Sequence, residues 1–199
     1  MQAPGPGDAL IVVDVQNDFL PGGSLGIPHG DEVVAPLNRL IDAWQAQSLP
    51  LFFTRDWHPA DHCSFKARGG PWPPHCVQDT PGSEFARELH VPKDAEIISK
   101  ATDPEREAYS TLQGTDLASR LAKLAVRRLF IGGLATDYCV LATGRDARHS
   151  GMGVVVLTDA VHAVDVNSGD GERALQELAS MGAQLTTTGV VLELLGRRP

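Results

Sequence analysis

A short apolar run near the start of the chain places the strongest limit on its fold. Residues 10–15 read LIVVDV, and their mostly β-branched side chains are apolar on both faces of a strand. Such a strand is typical of the middle of a parallel sheet that has helices packed on each side. The run therefore predicts an α/β protein built around a central parallel strand.

The rest of the chain repeats this alternation of short apolar runs with segments of helical periodicity. The predicted strands lie at residues 10–15, 51–54, 96–99, 128–133, 154–158 and 184–188, and the predicted helices at 33–47, 114–125, 137–150 and 170–182. Asp31 is placed to cap the first helix. Together the segments predict a three-layer α/β/α fold, Rossmann-like in topology, with a mostly parallel sheet of about six strands.

The length of 199 residues fits a single domain that spans residues 1–199, of which the Pro- and Gly-rich residues 1–7 are expected to be mobile. Lys and Arg number 17 against 25 Asp and Glu, a net charge of −8. This sign argues against nucleic acid and anionic membranes as partners. Because the opening residues lack a signal-peptide pattern and no span approaches transmembrane length, we expect a cytoplasmic protein.

The region of residues 56–80 departs from the alternation, since it is rich in Gly and Pro and concentrates His, Trp and Cys. Asp56 and His58 are two apart directly after a predicted strand, so their side chains point the same way and can share one cation. His62 and His75 are candidates for the remaining ligands. Alone, each histidine is as well explained as part of a polar loop; four candidates within twenty residues favour a metal site.

The three cysteines, at positions 63, 76 and 139, are too few for a disulfide framework. A structural zinc site formed by His62, Cys63, His75 and Cys76 is an alternative, because all four residue types bind zinc. Its spacing is unfavourable, since zinc-binding pairs are normally separated by two to four residues.

A candidate nucleophile lies in GGLATDYCV, residues 132–140, where a predicted strand ends in glycines and a helix begins near Thr136 or Asp137. Cys139 then lies in the first helical turn, where the helix N-terminus favours the thiolate. The alternative is that Cys139 is a small buried hydrophobic residue.

Two charged residues follow other predicted strands. Asp14 lies at the end of the first strand and Lys100 directly follows the third. Since the carboxyl ends of parallel strands meet at one ligand crevice, Asp14 could accept the Cys139 proton and Lys100 could hold both anions in their charged forms.

One further motif competes for the role of nucleophile. Residues 22–26, GGSLG, match the G-x-S-x-G pattern of serine hydrolases around Ser24. That motif requires a sharp turn from strand to helix, whereas Ser24 is followed by Ile27 and Pro28. The match is therefore interpreted as accidental. No nucleotide-binding glycine motif occurs in the chain.

Five segments, in this order and spacing, resemble the nicotinamidase/pyrazinamidase group of the isochorismatase-like cysteine hydrolases. They are LIVVDVQNDFLPGGSL (10–25), TRDWHPADHCSF (54–65), GGPWPPHCVQDTPGSEF (69–85), ISKATDPEREAYS (98–110) and GGLATDYCVLAT (132–143). The resemblance covers nearly the whole chain and implies an isochorismatase-like fold.

The resemblance also implies roles for individual residues. A Cys-Asp-Lys triad falls on Cys139, Asp14 and Lys100, and the oxyanion hole falls on the backbone N–H groups of Ala135 and Cys139, after a cis peptide between residues 134 and 135. The metal ligands fall on Asp56, His58 and His75, and His62 matches a fourth position that varies among members. The aromatic residues of the substrate pocket fall on Phe19, Trp72 and Tyr109; Tyr138 stands where some members carry histidine.

The function that follows from the resemblance is metal-dependent hydrolysis of nicotinamide, and of pyrazinamide, through a cysteine thioester in NAD salvage. One divalent metal per chain is expected, with zinc favoured and iron or manganese compatible with the same ligands. The expected partner is a small molecule, and a homo-oligomer is compatible with the family. The alternatives are another isochorismatase-like amide or carbamoyl hydrolase and a non-catalytic metal-binding domain.

Overall fold

A computed structural model describes residues 1–196 and shows a six-stranded sheet between two layers of helices. All neighbouring strands pair in parallel, in the order β3-β2-β1-β4-β5-β6. The strands are β1 (Asp8–Val13), β2 (Leu51–Asp56), β3 (Glu96–Lys100), β4 (Arg128–Leu134), β5 (Gly153–His162) and β6 (Gln184–Thr186). The predicted fold class and strand number are confirmed.

The helices divide between the two faces of the sheet. They are α1 (Val34–Ala46), α2 (Leu117–Lys123), α3 (Leu141–His149), α4 (Asp170–Ser180) and α5 (Thr188–Gly196). Helices α1 and α5 pack in one apolar core with Leu10 and Val12, whereas α2, α3 and α4 pack in a second core with Ile11 and Val13. Successive side chains of β1 thus enter opposite cores, as its apolar character on both faces predicts.

Several element boundaries differ from the sequence prediction. Asp31 lies inside a short 3-10 turn, Gly30–Val33, and the residue that caps α1 is Val33, without a side-chain hydrogen bond. The last strand ends at Thr186 instead of continuing to residue 188, because Thr188 starts a helix that the sequence prediction lacks. The Asp159 carboxylate accepts the N–H of Thr188 at 2.7 Å and its hydroxyl at 2.7 Å, an interaction across 29 residues that local pattern does not reveal.

The N-terminal segment lies against the body of the protein. The Gly7 carbonyl accepts the backbone N–H groups of Arg127 and Arg128, and the Arg128 guanidinium pairs with the Asp8 carboxylate at 2.7 Å. The expected mobility of residues 1–7 remains a prediction. No helix within residues 1–196 combines the length and the apolar character needed to cross a membrane.

The carboxyl ends of four adjacent strands, β3, β2, β1 and β4, meet along one edge of the sheet. Asp14 directly follows β1, Asp56 and Lys100 end β2 and β3 and are register partners, and Ala135 follows β4. The connection between β2 and β3, residues 57–95, contains only short 3-10 turns between extended and bent segments. It brings the residues of the irregular region predicted from sequence to the same edge.

Candidate active site

Lys100 stands at the centre of the site and is fully buried. Its Nζ lies 2.9 Å from Asp14 Oδ2 and 3.4 Å from Cys139 Sγ, and it makes a short contact with Asp56 Oδ1. The Ala108 carbonyl accepts a further hydrogen bond from Nζ at 3.2 Å. The structure therefore brings together the three residues of the predicted triad, and places the carboxylate of Asp56 beside them.

Asp14 is held in place by Thr54 of the neighbouring strand β2 and by Lys100 of β3. Its backbone has a φ of 49°, a left-handed conformation directly after β1, and its N–H donates to the carbonyl of Thr54 in β2. The Thr54 hydroxyl donates to Asp14 Oδ1 at 2.6 Å. One carboxylate oxygen is thus fixed by Thr54 and the other faces Lys100, so the carboxylate has one defined orientation.

Cys139 is buried in the turn that joins β4 to α3. A cis peptide links Leu134 and Ala135, and one turn of π-helix, Thr136–Val140, leads into α3. The predicted cis bond and the position of the cysteine in the first helical turn are confirmed. The Sγ atom lies within 4.8 Å of carboxylate oxygens of both Asp14 and Asp56.

Burial and pairing set the protonation of this group of residues. Burial by itself lowers the pKa of Lys100, but Asp14 and Asp56 together raise it well above its ordinary value. Burial opposes ionisation of Asp56 as well, yet Lys100 and His58 hold the pKa of its carboxyl below the usual range. Asp56 therefore remains a carboxylate beside an ammonium group.

The pKa values of the Cys139 thiol and of Asp14, its expected base, are both raised. Burial raises the pKa of Asp14, against the lowering effect of Lys100, and burial raises the pKa of Cys139 well above that of a free thiol. Desolvation has a larger effect on the Cys139 thiol than the favourable charge of Lys100 does. Cys139 rests as a thiol beside a carboxylate that has a raised affinity for its proton.

A cluster of histidines lies next to this group. Ligand atoms of Asp56, His58 and His75 all lie within 4.8 Å of one another. The Nδ1–H of His75 donates to the Pro73 carbonyl at 2.8 Å, which leaves Nε2 with its lone pair. Burial lowers the pKa of His75, so its ring remains neutral, as a metal ligand must be.

His58 shows that the cluster fits a metal ion. It is 1% exposed, yet neither ring nitrogen has a hydrogen-bond partner. Buried polar atoms in native proteins are nearly always satisfied, and orphaned ones need an explanation. Its Nε2 lies 3.7 Å from Asp56 Oδ2, beyond hydrogen-bond distance. A cation held by the imidazole nitrogens of His58 and His75 and by the Asp56 carboxylate satisfies these atoms.

His62 is buried beside His58 but is fully engaged elsewhere. The Ser64 backbone N–H and hydroxyl point to its Nδ1, at 3.3 and 2.8 Å, so Nδ1 is the acceptor and Nε2 carries the proton. Nε2–H donates to the Arg106 carbonyl at 3.0 Å. In this arrangement no lone pair of His62 is free for a metal.

Glu107 is a site residue that sequence reasoning missed. A carboxylate oxygen of Glu107 lies within 4.8 Å of ring nitrogens of both His58 and His62. It belongs to the connection between β3 and α2, more than 40 residues from those histidines, and it has no metal-ligand spacing of its own. The signal available in the sequence was only its position seven residues after Lys100.

The alternatives considered from sequence do not assemble. Among residues 1–196, neither Cys63 nor Cys76 belongs to a group of three ligand atoms that could hold a metal, and Cys76 lies in an apolar core. Ser24 is exposed in a turn that does not lead directly into a helix. Neither the four-residue zinc site nor the serine nucleophile is formed.

The aromatic residues singled out from sequence line one cavity, and Cys139 is part of its wall. Trp72 Nε1–H donates to Tyr109 Oη at 3.0 Å, and burial raises the pKa of Tyr109 to about 12. The ring of Tyr138 contacts the rings of Trp72 and Tyr109, with centroids 5.1 and 5.5 Å apart. The sequence did not reveal that two apolar residues complete the lining; they are Leu25 and Val164.

Comparison with known proteins identifies the family of the chain. The model of the Isochorismatase domain family matches residues 8–189. The chain belongs to the isochorismatase family. Within known members, it is 36% identical over 203 residues to the nicotinamidase of Escherichia coli (strain K12), an alignment that covers 92% of this chain and 95% of that protein.

Solved structures of the family agree in fold along nearly the whole chain. A zinc complex of the pyrazinamidase of Pyrococcus horikoshii is 49% identical, with a TM-score of 0.87 over 92% of this chain and 99% of that one. An L. infantum protein solved in complex with nicotinate is 35% identical, with a TM-score of 0.84 over 95% and 96% of the two chains.

Proposed function

We propose that this isochorismatase-family protein is a nicotinamidase, which hydrolyses nicotinamide to nicotinate and ammonia and accepts pyrazinamide as well. The observation that carries the proposal is the contact of Lys100 Nζ with both Cys139 Sγ and Asp14 at the floor of an aromatic cavity. The names of its relatives support the substrate: a nicotinamidase, a pyrazinamidase with zinc, and a protein solved with nicotinate.

In the first half of the reaction, Asp14 takes the proton from the Cys139 thiol and the sulfur attacks the amide carbon. A carbon–sulfur bond forms, and the carbonyl π electrons move to the oxygen. The backbone N–H groups of Ala135 and Cys139 are proposed to hold this oxyanion. Lys100 stabilises the transient thiolate through its ammonium group, and Asp14 accepts the proton readily because burial raises its pKa.

In the second half, Asp14 returns the proton to the leaving nitrogen, the carbon–nitrogen bond breaks and ammonia departs. The acyl group remains on Cys139 as a thioester. Asp14 then accepts a proton from water as the water oxygen attacks the thioester carbon. The thiolate leaves and recovers the proton, and the carboxylic acid product is released.

The cavity suits a flat aromatic amide. Phe19, Trp72 and Tyr109 are proposed to hold the faces and edges of the ring, and Tyr138 closes the wall next to the nucleophile. Because aromatic side chains offer large apolar faces, a pyridine or pyrazine ring fits better there than a flexible chain.

Asp56, His58 and His75 are proposed to hold one divalent ion, with zinc as the favoured species. His75 and Asp56 also line the cavity. When bound, such an ion supplies an electrophilic contact for the ring nitrogen, which orients the carboxamide towards Cys139. The role of His62 is proposed to be that of a neighbour which packs on His58 and ties its own loop to Arg106.

Ammonia release from nicotinamide tests the proposal, with metal content measured on the same samples before and after treatment with a chelator. We expect release that needs about one metal per chain and is restored by zinc. Chromatographic detection of nicotinate in equal amount confirms the reaction. A folded, zinc-loaded protein that releases no ammonia from nicotinamide but does so from a carbamoyl amide would place it with other amide hydrolases of the family.

A further inference from the structure

Gln16 and Asp18, two and four residues after Asp14, are buried side chains that the mechanism does not use. Gln16 is completely buried, and its amide holds the backbone of Asp56 on both sides. Gln16 Oε1 accepts the Asp56 N–H at 2.8 Å, and Nε2 donates to the Asp56 carbonyl at 2.8 Å and to the Ser83 carbonyl at 2.9 Å. One side chain thus fixes the last residue of β2 and the loop that covers it.

Asp18 holds the other side of the histidine cluster in the same way. Its Oδ2 accepts the backbone N–H of Cys76 at 2.7 Å, and its Oδ1 accepts that of Ser24 at 3.2 Å. Cys76 directly follows His75 and has a φ of 45°, a left-handed conformation that costs free energy and persists only where the surroundings enforce it. The Cys76 carbonyl accepts the N–H of His58, so this peptide also connects the two histidines.

Two glycines pack closely against Asp18. A Cβ added at Gly82 would lie 2.1 Å from Asp18 Oδ2, and one added at Gly23 would lie 2.5 Å from the backbone carbonyl oxygen of Asp18. Both approaches are far inside van der Waals contact, so Gly82 packs closely against the carboxylate of Asp18 and Gly23 packs closely against its backbone. The 9% exposure of Asp18 means that water contributes little to its hydrogen bonding.

We propose that Gln16 and Asp18 are positioning residues that set the metal ligands Asp56 and His75 relative to Asp14, through a single five-residue stretch of chain. This inference rests on the proposed metal-dependent function. Its physical basis is that each side chain binds the backbone at or next to a ligand, so losing either one loosens the ligand set while all three ligand side chains remain. Outer partners of metal ligands usually affect metal affinity about 10- to 100-fold.

The test uses near-isosteric variants of full-length protein. Gln16→Met and Asp18→Leu keep side-chain size but remove the hydrogen-bonding atoms. Asp18→Asn keeps one oxygen, which can still accept the shorter bond from Cys76. Asp159→Leu is the control, because the Asp159 carboxylate also accepts a backbone N–H, that of Thr188 at the start of α5. The zinc dissociation constant is measured by competition with a chromophoric chelator, and the unfolding midpoint of each metal-free variant is measured alongside.

We expect Gln16→Met and Asp18→Leu to weaken zinc binding about 10-fold or more, Asp18→Asn to recover most of that loss, and Asp159→Leu to bind as the wild type does. The inference is overturned if the first two variants bind zinc normally, if Asp18→Asn is as weak as Asp18→Leu, or if Asp159→Leu loses as much affinity.

A second variant covers the case in which Asp18→Leu does not fold. Gly82→Ala leaves the carboxylate present but displaces it, and Gly189→Ala, whose added Cβ has no close neighbour, is its control. Weaker zinc binding in Gly82→Ala alone supports the inference, and equal affinities contradict the part that concerns Asp18. Failure of the proposed function is seen separately: without the metal site the wild-type protein itself would bind no zinc, and a wrong substrate would show in the ammonia assay of the wild type, which the affinity comparison does not use.

Discussion

Two neighbouring clusters, which Asp56 connects, differ in how far the protein's own groups pair their polar atoms. In the triad of Cys139, Asp14 and Lys100, the ammonium group contacts the thiol and both neighbouring carboxylates. In the histidine cluster, both nitrogens of buried His58 lack a partner. The charges of the triad are therefore paired within the protein, since Asp14 Oδ2 makes no hydrogen bond but faces the Lys100 ammonium group at 2.9 Å, whereas the histidine cluster is proposed to be completed by a bound cation. Because of this difference, we expect one substitution to remove the nucleophile without the metal, and another to remove the metal without the nucleophile.

The largest effect is expected from Cys139→Ala, which removes only the nucleophile. Turnover of nicotinamide should fall by about 10⁴-fold or more, because the covalent route is lost. Metal content should stay at the wild-type level, since no histidine is altered. Steady-state kinetics and metal analysis on the same preparation check this, with Cys63→Ala as a half-buried cysteine control that keeps full activity. Retained turnover in Cys139→Ala would exclude it as the nucleophile.

His75→Ala tests the opposite separation. We expect loss of stoichiometric metal and a fall in kcat/KM of about 100-fold or more, because a ligand is removed. Alkylation of Cys139 by iodoacetamide should continue at the rate of the metal-free wild type, since the triad contacts do not involve His75. Mass spectrometry of the labelled peptide gives that rate. Full metal content in the variant would remove His75 from the ligand set.

The acid limb of the pH profile, which is the loss of kcat/KM as pH falls, tests the assignment of Asp14 as the base. Burial raises the pKa of Asp14, so the base is protonated, and kcat/KM lost, as pH falls through a value above that of an ordinary aspartate. The Thr54 hydroxyl donates a hydrogen bond to Asp14 and thereby lowers the pKa of Asp14. Thr54→Val removes this hydroxyl, so the pKa of Asp14 should rise. The limb should therefore move to higher pH in this variant. If the acid limb does not move in Thr54→Val, the limb does not report the protonation of Asp14.

The smallest effect is expected from His62→Asn. Because both nitrogens of His62 are engaged by Ser64 and Arg106, its loss should leave metal affinity within about 10-fold of the wild type. The same chelator competition measures it, with His58→Asn as the comparison that abolishes stoichiometric binding. An equal loss in the two variants would make His62 a direct ligand and enlarge the histidine cluster.

Much of the fold and site follows from local pattern. The apolar run at residues 10–15 predicts a central parallel strand, and the positions of Asp14, Lys100 and Cys139 after strands predict that they meet. The pair Asp56 and His58 follows from the two-residue period of extended chain. Because these signals depend on neighbours in sequence, they can be recognised from the sequence alone.

The tertiary structure decided what depends on contacts between distant segments. Gln16 meets Asp56 across 40 residues, Asp18 meets Cys76 across 58, and His62 meets Arg106 across 44. Such partners are unrelated by any local period, so only the folded chain identifies them. The protonation of Cys139 belongs to the same class, because its raised pKa comes from burial, which is a property of the assembled core and not of the turn that carries the thiol.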